Sequence, residues 1–214
     1  MAINLTSFLK EDNFTVFVNF KSHFRNAKSS LEQGFILDNK VTSLISVEEY
    51  LKNNTCASSD KIIKLFKLVK LKESILTESL KYLTPLELKK LYLAEVLLLK
   101  SKIIICEYFF RDMISEEKDY FRRLLRNLIY KQKIKIILIE SDMNFICETV
   151  KEFYLFTKNE KCKLITDFYD EEIYKYVPMP YTVEIIKYLE ECGYEIDHEI
   201  TFNETLKAIY RGVA

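Results

Sequence analysis

A carboxylate at the C-terminal end of a buried strand can hold a metal ion or polarise a water, and Glu107, directly behind the apolar run KIIIC (102–106), occupies such a position. A surface or helix-capping role is the alternative reading of the same residue. Three aromatics follow it without a break, Tyr108, Phe109 and Phe110, in a chain whose wealth of aromatics, 14 Tyr and 15 Phe, ordinarily reflects core packing. The other candidates for chemistry are scattered. His23 and His198 have no His, Cys, Asp or Glu partner at ligand spacing, so each reads as an exposed or hydrogen-bonded side chain rather than a zinc ligand. Cys56, Cys106, Cys147, Cys162 and Cys192 are odd in number, widely spaced and free of any CxxC pair, which argues against a disulfide framework and fits a reducing compartment. Cys106 and Cys147 sit in apolar runs where nothing lowers a thiol pKa, so they read as core residues. Phosphate loops are excluded within these 214 residues by glycine content alone. Average usage would give roughly fifteen glycines, whereas Gly34, Gly193 and Gly212 are too far apart to share one loop.

The elements that position these residues follow from periodicity. FTVFV (14–18) and GFILD (34–38) read as strands, 46–53 and 59–69 as helices, and 85–100 as a long helix with Pro85 in its first turn. KIIIC and KIKIILIE (133–140) are continuous apolar runs, as strands covered on both faces require, and the helix read over 115–130, with Ser115 as N-cap, joins them. Such a strand–helix–strand unit predicts two parallel neighbours in the sheet centre. A helix over 142–150 and a hairpin of EFYLF (152–156) with CKLIT (162–166) around Lys158-Asn159-Glu160 complete the α/β part. Past Val177-Pro178-Met179-Pro180 the pattern is purely helical, with one helix from Thr182 to Cys192 stopping at Gly193 and another opening at Thr201.

Composition narrows the partners. With 32 basic and 32 acidic side chains the net charge is zero, so no global field draws in nucleic acid or an anionic membrane. The basic stretch from Arg122 to Lys135 reads as the solvated face of a helix and the polar start of a strand. The N-terminus has no basic segment followed by an apolar one, and no apolar run approaches the roughly eighteen residues that span a bilayer. A cytoplasmic protein without a membrane span is the expectation.

The order of parts resembles an ATP-binding cassette (ABC) ATPase. LTPLELKKLYLAEVLLLKSKIIICEYFFRDMISEE occupies, without a gap, the place of that family's L-S-G-G-[EQ]-x-Q-R signature, helix, strand, D-E-P and D-loop. KIKIILIESDMNFICETVKEFYLF is similar to the following strand, T-H-D-M switch, helix and final strand. Upstream, FLKEDNFTVFVNFK resembles the hairpin behind the phosphate-loop helix, and GFILDNKVTSLISVEEYL the Q-loop strand entering the helical subdomain. The tail PMPYTVEIIKYLEECGYEIDHEITFNETLKAIYR is similar to the C-terminal helical extension of ATP-binding subunits of energy-coupling factor (cobalt/vitamin-type) transporters. The fold this implies is α/β, a three-layer ABC-ATPase-like sheet related to P-loop NTPases. It would span a truncated domain over 1–177, with a helical subdomain over about 46–100, and a small helical tail over 178–214.

Set against the family's pattern, the positions that do the chemistry are replaced. The chain begins about where the phosphate loop would end, with 4–9 as the helix behind it. Asp38 stands at the Q-loop Gln, and Pro85 and Leu86 stand at the signature glycines, whose backbone amides reach a γ-phosphate in the family. Glu87 keeps the acidic signature position. Gapless alignment sets Glu107 at the Mg²⁺-shell Asp and Tyr108 at the catalytic carboxylate; a shift of one sets Cys106 and Glu107 there, leaving one carboxylate either way. Ser141 stands at the switch His. The resemblance therefore implies a cassette that has lost ATP hydrolysis, with no catalytic residue, metal or cofactor, and with Asp38, Glu87, Glu107 and Ser141 as vestigial positions.

Such a chain would be a structural or regulatory partner of an intact ABC ATPase subunit or of a transmembrane transporter subunit, at the cytoplasmic face of the membrane. Asp38, Leu44, Ile45 and Tyr50 fall where the family grips its membrane subunit. Tyr108, Phe109 and Phe110 fall on the former nucleotide face, and as a second contact they should be at least partly exposed. Two rival readings stay open: an active ATPase subunit whose phosphate loop is missing here or separately encoded, which would bind ATP and Mg²⁺, and a soluble α/β interaction module with no transporter link.

Overall fold

The structure is a computed structural model and describes residues 8–10, 13–20, 32–37, 42–157 and 161–213. Along these residues the elements run β1 (Thr15–Val18), β2 (Gln33–Ile36), α1 (Val47–Thr55), α2 (Ser59–Leu68), α3 (Pro85–Leu98), β3 (Ile103–Glu107), α4 (Ser115–Gln132), β4 (Lys135–Glu140), α5 (Met143–Thr149), β5 (Phe153–Phe156), β6 (Cys162–Ile165), α6 (Tyr181–Glu191) and α7 (Phe202–Val213). The six strands form one sheet in the order β2-β3-β4-β1-β5-β6. This is a mixed α/β fold, as the alternation of apolar runs and amphipathic segments predicts.

The adjacency expected of KIIIC and KIKIILIE is present, since β3 and β4 are neighbours. The Lys135 N–H donates to the Lys102 carbonyl at 2.9 Å, which joins the beginnings of the two strands, so they start at the same end of the sheet and run the same way. β2 pairs parallel with β3 in the register Gly34 opposite Ile104, β1 parallel with β5, and β5 antiparallel with β6 as the expected hairpin. The residues read as its turn, 158–160, lie outside the described residues, as do His23 and Asp38. The expected N-cap of the crossover helix differs. Ser115 is the first residue of α4 and Ile114 takes the N-cap position, with no side-chain bond to the helix amides.

Two compact units divide the chain: the described residues of Met1–Phe14 with Ser22–Leu138, and those of Thr15–Lys21 with Ile139–Ala214. In the first unit α3 is buried nearly all round, including Lys89, Lys90 and Glu95. A helix so enclosed can carry charges only where each meets a partner. A side chain at Gly34 would put a Cβ 2.2 Å from Val96 of α3, so β2 approaches this helix at a distance only glycine allows. The shortage of glycine shows at the helix ends. Cys56 after α1, Lys70 after α2, Lys100 after α3 and Lys133 after α4 all have φ between 52° and 57°, the left-handed conformation that glycine ordinarily takes there.

In the second unit Phe17 of β1 packs against Phe20, Tyr154 and Phe156 with tilted rings at separations of 5.4–5.9 Å. Two tail helices begin on α5: Asn144 accepts from the Tyr181 N–H at 2.8 Å, and Glu148, one turn on, accepts from the Phe202 N–H at 2.5 Å. These bonds satisfy amides that a helix start leaves without an intrahelical partner. Gly193, with φ of 90°, ends α6 in the way its sequence position predicts. His198 stacks on Tyr169 at 4.0 Å with its Nε2 2.8 Å from Glu190, a surface arrangement. Among the described residues no helix is long and apolar enough to cross a membrane.

Candidate functional site

The candidate site begins where β3 ends. Glu107 is the half-buried last residue of the strand, and the chain turns sharply after it because Tyr108 has a φ of 47°. A bulky residue in the left-handed region is strained and needs external support. Lys89 of α3 supplies it. This side chain is 1% exposed and donates to the Tyr108 carbonyl at 2.8 Å, while the Arg111 N–H donates to the same oxygen at 3.2 Å. Lys89 also lies 3.7 Å from the carboxylate of Asp112, itself at a φ of 71°, and the Arg111 guanidinium lies over the Tyr108 ring at 4.1 Å. The loop is thus fixed from both sides.

The turn sends the next two rings inward. Phe109 is 0% and Phe110 1% exposed, which overturns the expectation that they face a partner. Phe109 packs edge-on against Phe110 at 5.2 Å and against Phe121 of α4 at 5.4 Å. The left-handed turn at Tyr108 reverses the chain, so the two residues after it fall back onto the core under α4. Tyr108 alone of the three is half-exposed.

At the position matching the family's signature the structure has an ordinary helix start. Thr84 caps α3: its Oγ1 accepts from the Glu87 N–H at 3.2 Å, and the Glu87 carboxylate accepts from the Thr84 N–H at 2.9 Å and hydroxyl at 2.8 Å. Pro85 has no N–H and the Glu87 N–H is taken, so two of the three amides at this start have nothing to offer a phosphate. Ser141 is exposed, in the second unit, beside Asp142, whose side chain caps α5 by accepting from the Phe145 N–H at 3.1 Å. Cys147 is buried there, its thiol pushed up to about 12 by burial and by the nearby Glu148 carboxylate, so it is an inert thiol at neutral pH.

Sequence reasoning missed a second polar cluster, at the helical end of the first unit. Glu95 of α3 accepts from the Tyr50 hydroxyl at 2.7 Å and from the Asn54 amide at 3.0 Å, tying α3 to α1. Burial raises the Glu95 pKa above its ordinary 4.5 against the lowering effect of these two bonds. Burial, with the carboxylate close by, also pushes Tyr92 up to about 12 and Tyr50 well above the usual range for a phenol. The one sequence signal was the presence of Glu95 on an otherwise apolar face of α3. Of the other residues singled out beside this cluster, Leu44 is 72% exposed, Ile45 is half-buried with its carbonyl accepting from the Leu80 N–H, and the hydroxyl of Tyr50 points inward.

The raised pKa has a sign that can be measured. Folded Glu95 holds its proton more tightly than the unfolded chain does, so its contribution to stability is fully present below about 4.5 and is lost as pH rises through the higher folded value. Urea unfolding of the wild type and Glu95→Gln across pH should therefore show the wild type losing ground to the variant as pH rises from that value. A difference that stays flat with pH would mean that Glu95 is as well solvated folded as unfolded.

No protein-family model matches the sequence, and no curated protein matches it either. Solved structures do match. The ATP-binding cassette MJ0796, in a dimeric post-hydrolysis state bound to ADP and Pi, superposes with a TM-score of 0.58 at 13% identity over 73% of this chain and 86% of that one. The protein cbiO1 from Clostridium perfringens, part of the ABC transporter complex cbiONQ, superposes with a TM-score of 0.56 at 13% identity over 84% of this chain and 89% of that one. Identity this low speaks for architecture alone. The chain has the α/β fold of the ABC ATPase cassettes.

Proposed function

We propose that the chain is a cassette-like subunit of a transporter complex that has lost ATP hydrolysis and acts as a structural or regulatory partner, at the cytoplasmic face of the membrane. The observation that carries this reading is the loop after β3. In the gapless alignment Tyr108 stands at the position of the family's catalytic carboxylate; its carbonyl is occupied by Lys89 and Arg111, and the next two residues are core. Neither a water nor a metal finds a carboxylate pair there. The capped start of α3 supports the same conclusion, since amides committed to a capping box cannot reach a phosphate. The neighbour cbiO1 is part of a transporter complex, and the resemblance of the tail to the C-terminal extension of energy-coupling factor ATP-binding subunits supports an assignment of this chain to such a complex.

Titration calorimetry with ATP and Mg²⁺, with a phosphate-release assay on the same protein, tests the loss of activity. The expected result is no phosphate release and no binding at a Kd on the order of micromolar or tighter. Micromolar binding with turnover would overturn it in favour of an active ATPase. The partner is tested separately. Leu44, 72% exposed at the entry to the helical segment, supports a contact with a transmembrane or cassette subunit through Leu44, Ile45 and the ring of Tyr50. Leu44→Glu should abolish co-purification of such a subunit and leave the melting temperature unchanged. Retained co-purification would remove this surface from the proposal.

A further inference from the structure

The second unit ends in helices whose inner faces are filled and whose outer faces, among the described residues, are exposed. α6 buries Thr182, Val183 and Ile186, and Ile186 joins Ile196 and Ala208 in a small core. On the other side Tyr181, Ile185 and Tyr188 recur at i, i+4 and i+7, the spacing that aligns side chains in one stripe, and they are 68%, 43% and 64% exposed. Scattered exposed apolar residues need no explanation, but a continuous stripe of them marks a contact surface. Alongside it run Glu184 and Glu191, seven residues apart and both exposed.

Charge decides what can cover this stripe. From Tyr181 to Val213 carboxylates outnumber Lys and Arg by seven to three. Each of the three cations is already ion-paired within the unit: Lys187 with Glu171 at 2.8 Å, Lys207 with Glu204 at 2.7 Å and Arg211 with Asp197 at 3.5 Å. Among the described residues no cation pairs with Glu184 or Glu191. A second copy presenting the same face would oppose like charges, and an anionic lipid surface would be repelled. We infer that the α6 face docks a cationic amphipathic helix of another protein, with its apolar side on Tyr181, Ile185 and Tyr188 and its Lys or Arg side chains opposite Glu184 and Glu191. The two phenol rings suit that partner further, because their faces attract cations. This inference stands on the exposed stripe and its acidic row, and it does not depend on the transporter assignment.

Fluorescence anisotropy of the full chain with a labelled Leu/Lys amphipathic peptide of about five helical turns tests it, with a Leu/Glu peptide of the same pattern as comparison. The Leu/Lys peptide alone should bind. Y181A/Y188A should weaken it at least about tenfold without changing the melting temperature, because both rings are exposed. E184Q/E191Q should weaken it too and flatten its salt dependence. If the aromatic variant proves unstable, the carboxylate variant decides alone. Equal binding of both peptides, or binding indifferent to E184Q/E191Q, would overturn the inference. Sedimentation of the protein by itself supplies the other arm: a dimer broken by Y181A/Y188A would assign the face to a second copy and sink the cationic partner.

Discussion

Phe109→Ala is expected to lower the unfolding free energy by about 3–5 kcal/mol, the range for truncating a fully buried phenylalanine. Phe109 is 0% exposed and meets Phe110 and Phe121 edge-on, so the variant loses both ring contacts and leaves a cavity that stiff neighbours cannot close. Phe110→Ala should fall in the same range, whereas Tyr108→Ala should cost less because the Tyr108 ring is half-exposed. Urea unfolding followed by circular dichroism checks the order. A Phe109→Ala variant as stable as the wild type would show that the rings face solvent and would restore them as a contact surface.

Lys89→Ala is the other large effect, at about 3 kcal/mol. Removing the ammonium takes a charge-assisted donor from the Tyr108 carbonyl, which costs about 1–3 kcal/mol for a buried polar group, and removing the stem adds a cavity in the middle of α3. Two further variants separate these contributions. Lys89→Met keeps the stem and should cost about half as much. Asp112→Asn should cost less than about 1 kcal/mol, since the Asp112 side chain is mostly exposed and asparagine tolerates its left-handed backbone. If Asp112→Asn proved as damaging as Lys89→Ala, the ion pair rather than the carbonyl bond would hold the loop.

The course of the chain is legible without a structure because it rests on local periodicity. KIIIC and KIKIILIE announce buried strands by being apolar without alternation, and the helix between them is long enough for one crossover, so their adjacency follows from chain geometry. Gly193 is equally local, since a left-handed stop needs only its immediate neighbours.

The direction in which Tyr108, Phe109 and Phe110 point is of another kind. Three consecutive aromatics have neither a period of two nor one of 3.6, so no pattern assigns them a face, and the backbone conformation of Tyr108 that turns them inward is supported by Lys89, nineteen positions earlier. Lys89 and Glu95 were illegible for the same reason. A charged residue on a helix reads as solvent-facing until a partner distant in sequence encloses it, and Glu95 meets Tyr50 across 45 positions. The sequence by itself therefore determined which segments are strands and helices and which two strands lie side by side. Only the tertiary structure decided which side chains are enclosed, because burial of an aromatic run or of a charge depends on partners that folding brings from far along the chain.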